Sequence, residues 1–181
     1  MKQVIRIIGG QYRGKKIAFP DSDGLRPTPD RVRETLFNWL MNDIRNARCL
    51  DAFAGSGALG LEAFSRGAAE VCLIEQQTST FIHLQTIISS FKASNLRLMN
   101  TNACDFIRQT KRVFDIIFLD PPFNANLLTP CLTDLSEHPI LRTGGLVYIE
   151  SSQEIISDPL QWEILKQKRA GQVVYGLLKK R

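Results

Sequence analysis

The segment Asp51-Ala52-Phe53-Ala54-Gly55-Ser56-Gly57-Ala58-Leu59-Gly60 constrains this chain more than any other. It starts inside an apolar run at 49–53 and opens a helical pattern at 58–66, so it reads as strand, glycine turn and first helical turn. Glycines here let the backbone pass close to a ligand in conformations that other residues resist. The turn also aims the free N–H groups of a helix start at whatever binds there. The alternation continues downstream. Strand-like runs at 70–74, 96–99, 114–119 and 145–149 are separated by helical patterns near 78–92, 103–110 and 127–135, and Gly67 is placed to end the first helix. Such alternation predicts a parallel sheet with helices on both faces.

The two ends depart from that rule. Trp162 to Lys168 and Gln172 to Lys179 are strand-like runs joined by Arg169-Ala170-Gly171, which predicts an antiparallel hairpin closing the sheet. Val4-Ile5-Arg6-Ile7-Ile8 and Lys16-Ile17-Ala18-Phe19 flank a basic, glycine-containing stretch and predict a small β-hairpin arm. A proline-rich connector, 20–29, follows the arm. Thr28-Pro29 then reads as a helix start, with Thr28 as N-cap and Pro29 in the first turn. Val32, Leu36, Leu40 and Ile44 recur every four residues and give that helix one apolar face. The expected organisation is a basic arm and connector over 1–27 and one doubly wound α/β domain over 28–181. Its mostly parallel sheet would have seven strands.

With 181 residues and 44% apolar content, the chain can bury a core without disulfides or metals. Cys49, Cys72, Cys104 and Cys131 have no C-x-x-C spacing, and His83 and His138 have no partner spacing that suggests a metal. Reduced, buried thiols in a soluble cytoplasmic protein are expected, with no metal and no membrane segment. A monomer is expected. Charge is placed unevenly: residues 1–16 hold five Lys/Arg and no acid, and 166–181 hold six and no acid. The body between them is net acidic by six charges. Basic ends on an acidic body suggest a polyanionic partner met by the termini, or simply added solubility.

Read literally, Gly55, Gly57 and Gly60 match the dinucleotide fingerprint, and Glu75 follows 20 residues after Gly55 where a ribose-binding acid sits. An NAD-dependent dehydrogenase is therefore a serious rival. Charge separates the two readings. Asp51, at the mouth of the loop, would oppose a doubly negative pyrophosphate. S-adenosyl-L-methionine carries a sulfonium and an α-ammonium and no phosphate, so the same carboxylate attracts it.

The apolar run Phe114-Asp115-Ile116-Ile117-Phe118-Leu119 ends in Asp120-Pro121-Pro122-Phe123. Ligands of open α/β sheets bind beyond the carboxyl ends of the strands, so Asp120 is expected to share a crevice with Asp51, Gly55 and Glu75. The prolines stiffen the turn and leave carbonyls without neighbouring N–H groups. Phe123 offers a stacking wall for a planar base. This set suits methyl transfer to an exocyclic base amine, whose lone pair is delocalised into the ring. A carboxylate and a carbonyl accepting its two hydrogens aim that lone pair, and positioning can supply roughly 7–11 kcal/mol. Asp120, Pro121 and Phe123 are the expected catalytic group.

Taken in order, these blocks resemble class I S-adenosylmethionine-dependent methyltransferases acting on amino groups, with a Rossmann-like sheet. The resemblance is closest to the bacterial RsmD family. Arg6-Ile7-Ile8-Gly9-Gly10-Gln11-Tyr12-Arg13-Gly14, the run from Arg26-Pro27-Thr28-Pro29 to Asn38-Trp39-Leu40, Gly55 to Ala63 and Ala170-Gly171-Gln172-Val173 carry it. The resemblance implies methylation of the N2 amine of guanine 966 in 16S ribosomal RNA of the small subunit. It implies that Asp51, Phe53, Gly55, Ser56 and Gly57 hold the methionine part of the cofactor, and that Glu75 binds the ribose. Cys104 and Asp105 would meet the adenine, and Asp120 and Phe123 the guanine. Gln76-Gln77 departs from the usual acid or asparagine after Glu75. Arg6, Arg13, Lys15 and Lys16 are the expected RNA contacts. Arg31 and Arg33 would face phosphate, the cofactor carboxylate or only solvent. Two other readings remain: an amino-methyltransferase acting on DNA or another RNA, and a non-catalytic RNA-binding assembly factor. The chain has no insertion large enough for a DNA target-recognition region, and both motifs are intact.

Overall fold

The computed structural model describes residues 2–20, 27–122 and 126–181; Phe123 and the connector residues 21–26 lie outside the described residues. Apolar residues alternate along each central strand and so divide the core into two layers. On strand β6 (Phe114–Leu119), Ile116 and Phe118 point into one layer and Ile117 and Leu119 into the other. That two-residue period puts helices on both sides of one sheet. Strands β3 (Arg48–Asp51), β4 (Glu70–Ile74), β5 (Leu96–Met99), β6 and β7 (Leu141–Ser151) pair in parallel. β8 (Trp162–Ala170) and β9 (Val173–Lys180) form the expected antiparallel hairpin, with β9 against β7. The sheet order is β5-β4-β3-β6-β7-β9-β8.

Helices α1 (Asp30–Trp39), α2 (Ala58–Ser65) and α3 (Thr78–Ser89) cover one face, and α4 (Ala103–Gln109) and α5 (Leu128–Glu137) the other. β7 starts four residues before the run expected at 145–149, and its pairing with β6 slips at its start, between Phe114 and Ile116. Gly67 closes α2 at φ 96°, the left-handed conformation its place after the helix requires. The α1 expectation needs correction. Thr28 does not cap the helix; Pro29 precedes it without a side-chain cap, and the Thr28 hydroxyl is used elsewhere.

The N-terminal hairpin, β1 (Lys2–Arg6) paired with β2 (Lys16–Pro20), is fastened to the domain. Ile5, Ile7, Ile17 and Phe19 are buried in the same core layer as α1, α2 and α3. The hairpin loop docks on the end of α2. Glu62 accepts the Ile8 N–H at 2.9 Å and the Gly9 N–H at 2.8 Å, and Ser65 Oγ accepts the Tyr12 N–H at 2.9 Å. Gly10, at φ 78°, fits because a Cβ there would lie 1.8 Å from the Ser65 carbonyl oxygen. Tyr12 then stacks on Phe64, with ring centroids 5.5 Å apart. No helix among the described residues is long and apolar enough to cross a membrane.

Candidate active site

The chain builds outward from β3 in two directions, to β4 and β5 on one side and to β6 and β7 on the other. That reversal opens a crevice at the carboxyl ends of β3 and β6. Asp51, the last residue of β3, is paired with Phe118, so Asp120 emerges just past it at the same end of the sheet. The two acids that the sequence places in separate motifs thus become neighbours.

The glycine turn connects Asp51 to α2. Gly55 and Gly57 have φ of 50° and 78°, in the region where glycine is favoured. Gly60 is required for another reason: a Cβ would lie 2.8 Å from Leu73 Cδ2 and 3.0 Å from Asp51 Oδ2. Its N–H donates to Asp51 Oδ2 at 2.8 Å. Asp51 therefore fastens the start of α2 from beneath, a role not read from the sequence. Burial pushes its carboxyl up to about 7, against the opposing pull of the Gly60 and Phe53 N–H groups, and Glu75 adds a smaller upward push. Ser56 is buried in the turn and Phe53 is half-buried against the α4–α5 layer.

Glu75, just beyond β4, binds the same loop. Its Oε2 accepts the Gly55 N–H at 2.9 Å and its Oε1 accepts the Gln77 N–H at 2.7 Å. Each oxygen keeps a second lone pair for a ligand hydroxyl. Asn100 braces this corner by donating to the carbonyls of Glu75 and Gln76, and Asn102 donates to the Gln76 side chain. Asn102 also caps α4 by accepting the Asp105 N–H. The Gln76 departure is thus accommodated by an amide pair. Asp105 is exposed and bound to Arg108 at 2.6 Å. The Cys104 side chain turns into the core, with Sγ 3.3 Å from Cys131 Sγ. The Cys104 thiol therefore belongs to the core layer under α4 and α5.

Asp120 is held by a cluster that sequence reading missed. Thr28 Oγ1 lies 3.2 Å from Asp120 Oδ2 and 2.9 Å from Glu150 Oε1. Tyr148 O–H donates to the same Glu150 oxygen at 2.8 Å. Burial raises the Asp120 carboxyl well above its ordinary range, and the Glu150 and Asp51 charges push it further. Burial also raises Glu150, against the hydrogen bonds from Tyr148 and Thr28. The alternation of β7 was the available signal: Tyr148 lies on the same face as Glu150 and points to the layer that α1 covers. Beyond the cluster opens a cavity of about 430 Å³, lined by Pro121, Pro122, Glu150, Ser151, Gln153 and Ile155 among others.

The basic residues divide. Arg6, Arg13, Lys16 and Arg31 are exposed, and Lys15 places its ammonium 4.4 Å from the Phe91 ring centroid. Arg33 does not face solvent. It is 1% exposed, binds Asp30 at 2.5 Å and the Arg6 carbonyl at 3.0 Å, and stands 3.5 Å from Glu62. Its expected contact with RNA or a cofactor is corrected accordingly: it joins α1 to the arm. At the end of α5, Asp134, Glu137 and His138 bring ligand atoms within 4.8 Å of one another, though Asp134 is also bound to Arg108 at 3.1 Å.

The family model described as "Conserved hypothetical protein 95" matches residues 5–179. A relative from Escherichia coli K12, ribosomal RNA small subunit methyltransferase D, is 49% identical over 175 residues, covering 96% of this chain and 88% of its own. The chain belongs to the RsmD family. Its fold agrees. The solved structure of YhhF from Escherichia coli superposes with a TM-score of 0.90 at 47% identity, covering 99% of both chains. A Thermus thermophilus 16S rRNA N2 methyltransferase, solved with AdoMet and guanosine, shares the fold at 20% identity, with a TM-score of 0.71 over all of this chain and 50% of its own.

Proposed function

We propose that this RsmD-family chain transfers a methyl group from S-adenosyl-L-methionine to the exocyclic N2 amine of a guanine in 16S rRNA of the small subunit, guanine 966. The observation that carries the reading is Asp120, fixed by Thr28, directly before the cavity-lining Pro121 and next to Asp51 at the switch point of the sheet. The names and 49% identity of the relatives support an rRNA substrate.

The cofactor fits the residues present. Asp51, Glu75, Asp120 and Glu150 make this corner acidic, and burial makes the Asp51 charge costly when it is alone. A cationic ligand offsets that cost and a pyrophosphate increases it. In this reading Asp51, Phe53, Gly55, Ser56 and Gly57 hold the amino-acid end. Glu75 takes the ribose hydroxyls, and Asp105 with the Cys104 backbone faces the adenine. When bound, the cofactor supplies an electrophilic methyl on a positively charged sulfur. Asp120 and the Pro121 carbonyl accept the two amine hydrogens and aim the nitrogen lone pair. Phe123 stacks on the guanine, with a typical stacking contribution of about 1–3 kcal/mol. The guanine is turned out of its stack into the cavity beside Pro121 and Pro122. Residues 1–27 act as the RNA-facing arm through Arg6, Arg13, Lys15 and Lys16, with Arg31 beside them, and 28–181 as the catalytic domain.

Incubation of labelled cofactor with stripped rRNA and with assembled small subunits, followed by mapping of the modified nucleotide, tests the proposal. Label on the N2 of guanine 966 is expected. Label on another atom or nucleotide, or none with either substrate, overturns it.

A further inference from the structure

We propose that Glu150 is the proton reservoir of the active site and that Thr28 relays the proton to it from Asp120, an inference that rests on amine methylation as the reaction. An amine that accepts a methyl group must give up one proton, and Asp120 is the carboxylate placed to take it. Asp120 must then be emptied before the next turnover. The described structure offers a route. Thr28 Oγ1 bridges Asp120 Oδ2 and Glu150 Oε1 at 3.2 and 2.9 Å. A hydroxyl has one proton to give and lone pairs to accept with, so it donates to only one carboxylate at a time. When Thr28 donates to Glu150, its oxygen is free to accept from a protonated Asp120. Transfer then breaks the Asp120 O–H bond, forms one at Thr28, breaks the old Thr28 O–H bond and forms one at Glu150. Asp120 is returned as the carboxylate and no other reactant is consumed.

The surroundings favour one shared proton over two charges. Asp51 at the end of β3, Asp120 after β6 and Glu150 on β7 place three acids together, with the Tyr148 and Tyr175 phenols on β7 and β9. Thr28, Glu150 and Asp51 are buried. Like charges held close in such a site cannot all ionise freely. Tyr148 fixes the Glu150 oxygen that faces Thr28. Glu150 also lines the 430 Å³ cavity, which gives the proton a way out towards solvent once product leaves. Thr28 and Glu150 are positioning residues in this scheme, acting on the amine only through Asp120.

The test compares Thr28→Val, which removes the bridge at nearly constant volume, with Thr28→Ser, which keeps it. Steady-state methyl transfer is expected to fall roughly tenfold to a hundredfold in Thr28→Val, within the range for a lost proton-transfer partner, while the first turnover is spared. Thr28→Ser should recover most of the rate, and cofactor affinity by calorimetry should stay unchanged in both. Infrared difference titration of the ligand-free protein provides a readout independent of turnover. Wild type should show coupled titrations of Asp120 and Glu150, one of them lost in Glu150→Gln and both shifted upward in Thr28→Val, which removes the hydrogen bond that lowers each. Full activity in Thr28→Val, no rescue by Thr28→Ser in a protein that still folds, or uncoupled titrations in wild type would overturn the relay. If wild type methylates no RNA, the reaction assignment fails instead, and the titration still decides whether Asp120 and Glu150 share a proton.

Discussion

Glu62 Oε2 accepts the Ile8 N–H at 2.9 Å, joining α2 to the arm across 54 residues of chain. The same carboxylate is 0% exposed, takes the Gly9 N–H, binds Arg66 at 2.7 Å and faces the buried Arg33 guanidinium. Two helices and the hairpin therefore meet at one anion. Removing it leaves Arg33 buried without full compensation, and Arg33 Nε already lacks a hydrogen-bond partner among the described residues.

Glu62→Ala should destabilise the protein by about 3–5 kcal/mol, the usual cost of breaking a buried ion pair from one side. Urea denaturation followed by far-UV circular dichroism measures it. A loss below about 1 kcal/mol would show that the arm is held by its apolar side chains alone.

Asp51 makes stability depend on pH in a stated direction. Its carboxyl ionises near 3.8 in the unfolded chain and is pushed up to about 7 in the folded one. Between those values the native state holds a proton that the unfolded state has released, so this contribution falls as pH rises and levels off above about 7. Asp51→Asn keeps an oxygen for the Gly60 N–H and removes the charge. Without ligand, its stability relative to wild type should improve between pH 5 and pH 8, by on the order of 2–4 kcal/mol. Denaturation at the two pH values compares them; a difference that does not change with pH refutes the assignment.

Asp120→Asn should leave cofactor affinity within about threefold of wild type while turnover drops at least about a hundredfold, the low end for a lost proton acceptor. Calorimetry and a labelled-methyl assay separate the two effects. Equal losses in binding and turnover would move Asp120 from the amine to the cofactor.

Arg13 and Lys16 are exposed on the arm. Replacing both with alanine should flatten the slope of log affinity for rRNA against log salt by about 0.7–0.9 for each phosphate no longer neutralised. An unaltered slope assigns RNA binding to another surface, with Arg31 and the exposed Lys166 and Arg169 of β8 the next to replace.

Local chemistry settled most of the architecture. Two-residue alternation on β6, the glycine turn after Asp51, and the switch from helices to a hairpin at Trp162 each act within a few residues and survive in one dimension. They were enough to place the sheet and to bring Asp51, Glu75 and Asp120 to one crevice. The partners of buried polar groups are decided by distant segments, and there tertiary structure ruled. Thr28 reads as an N-cap because Ser and Thr before a helix usually serve that way, yet its hydroxyl goes to Glu150, 122 residues away. Arg33 reads as an exposed helix charge, and only the arm packed over α1 and Glu62 buries it. Glu150 shares a strand face with Tyr148 by alternation, but its tie to Thr28 and Asp120 is made only by the fold. A side chain's periodicity tells which way it points; what waits there depends on how the rest of the chain has folded.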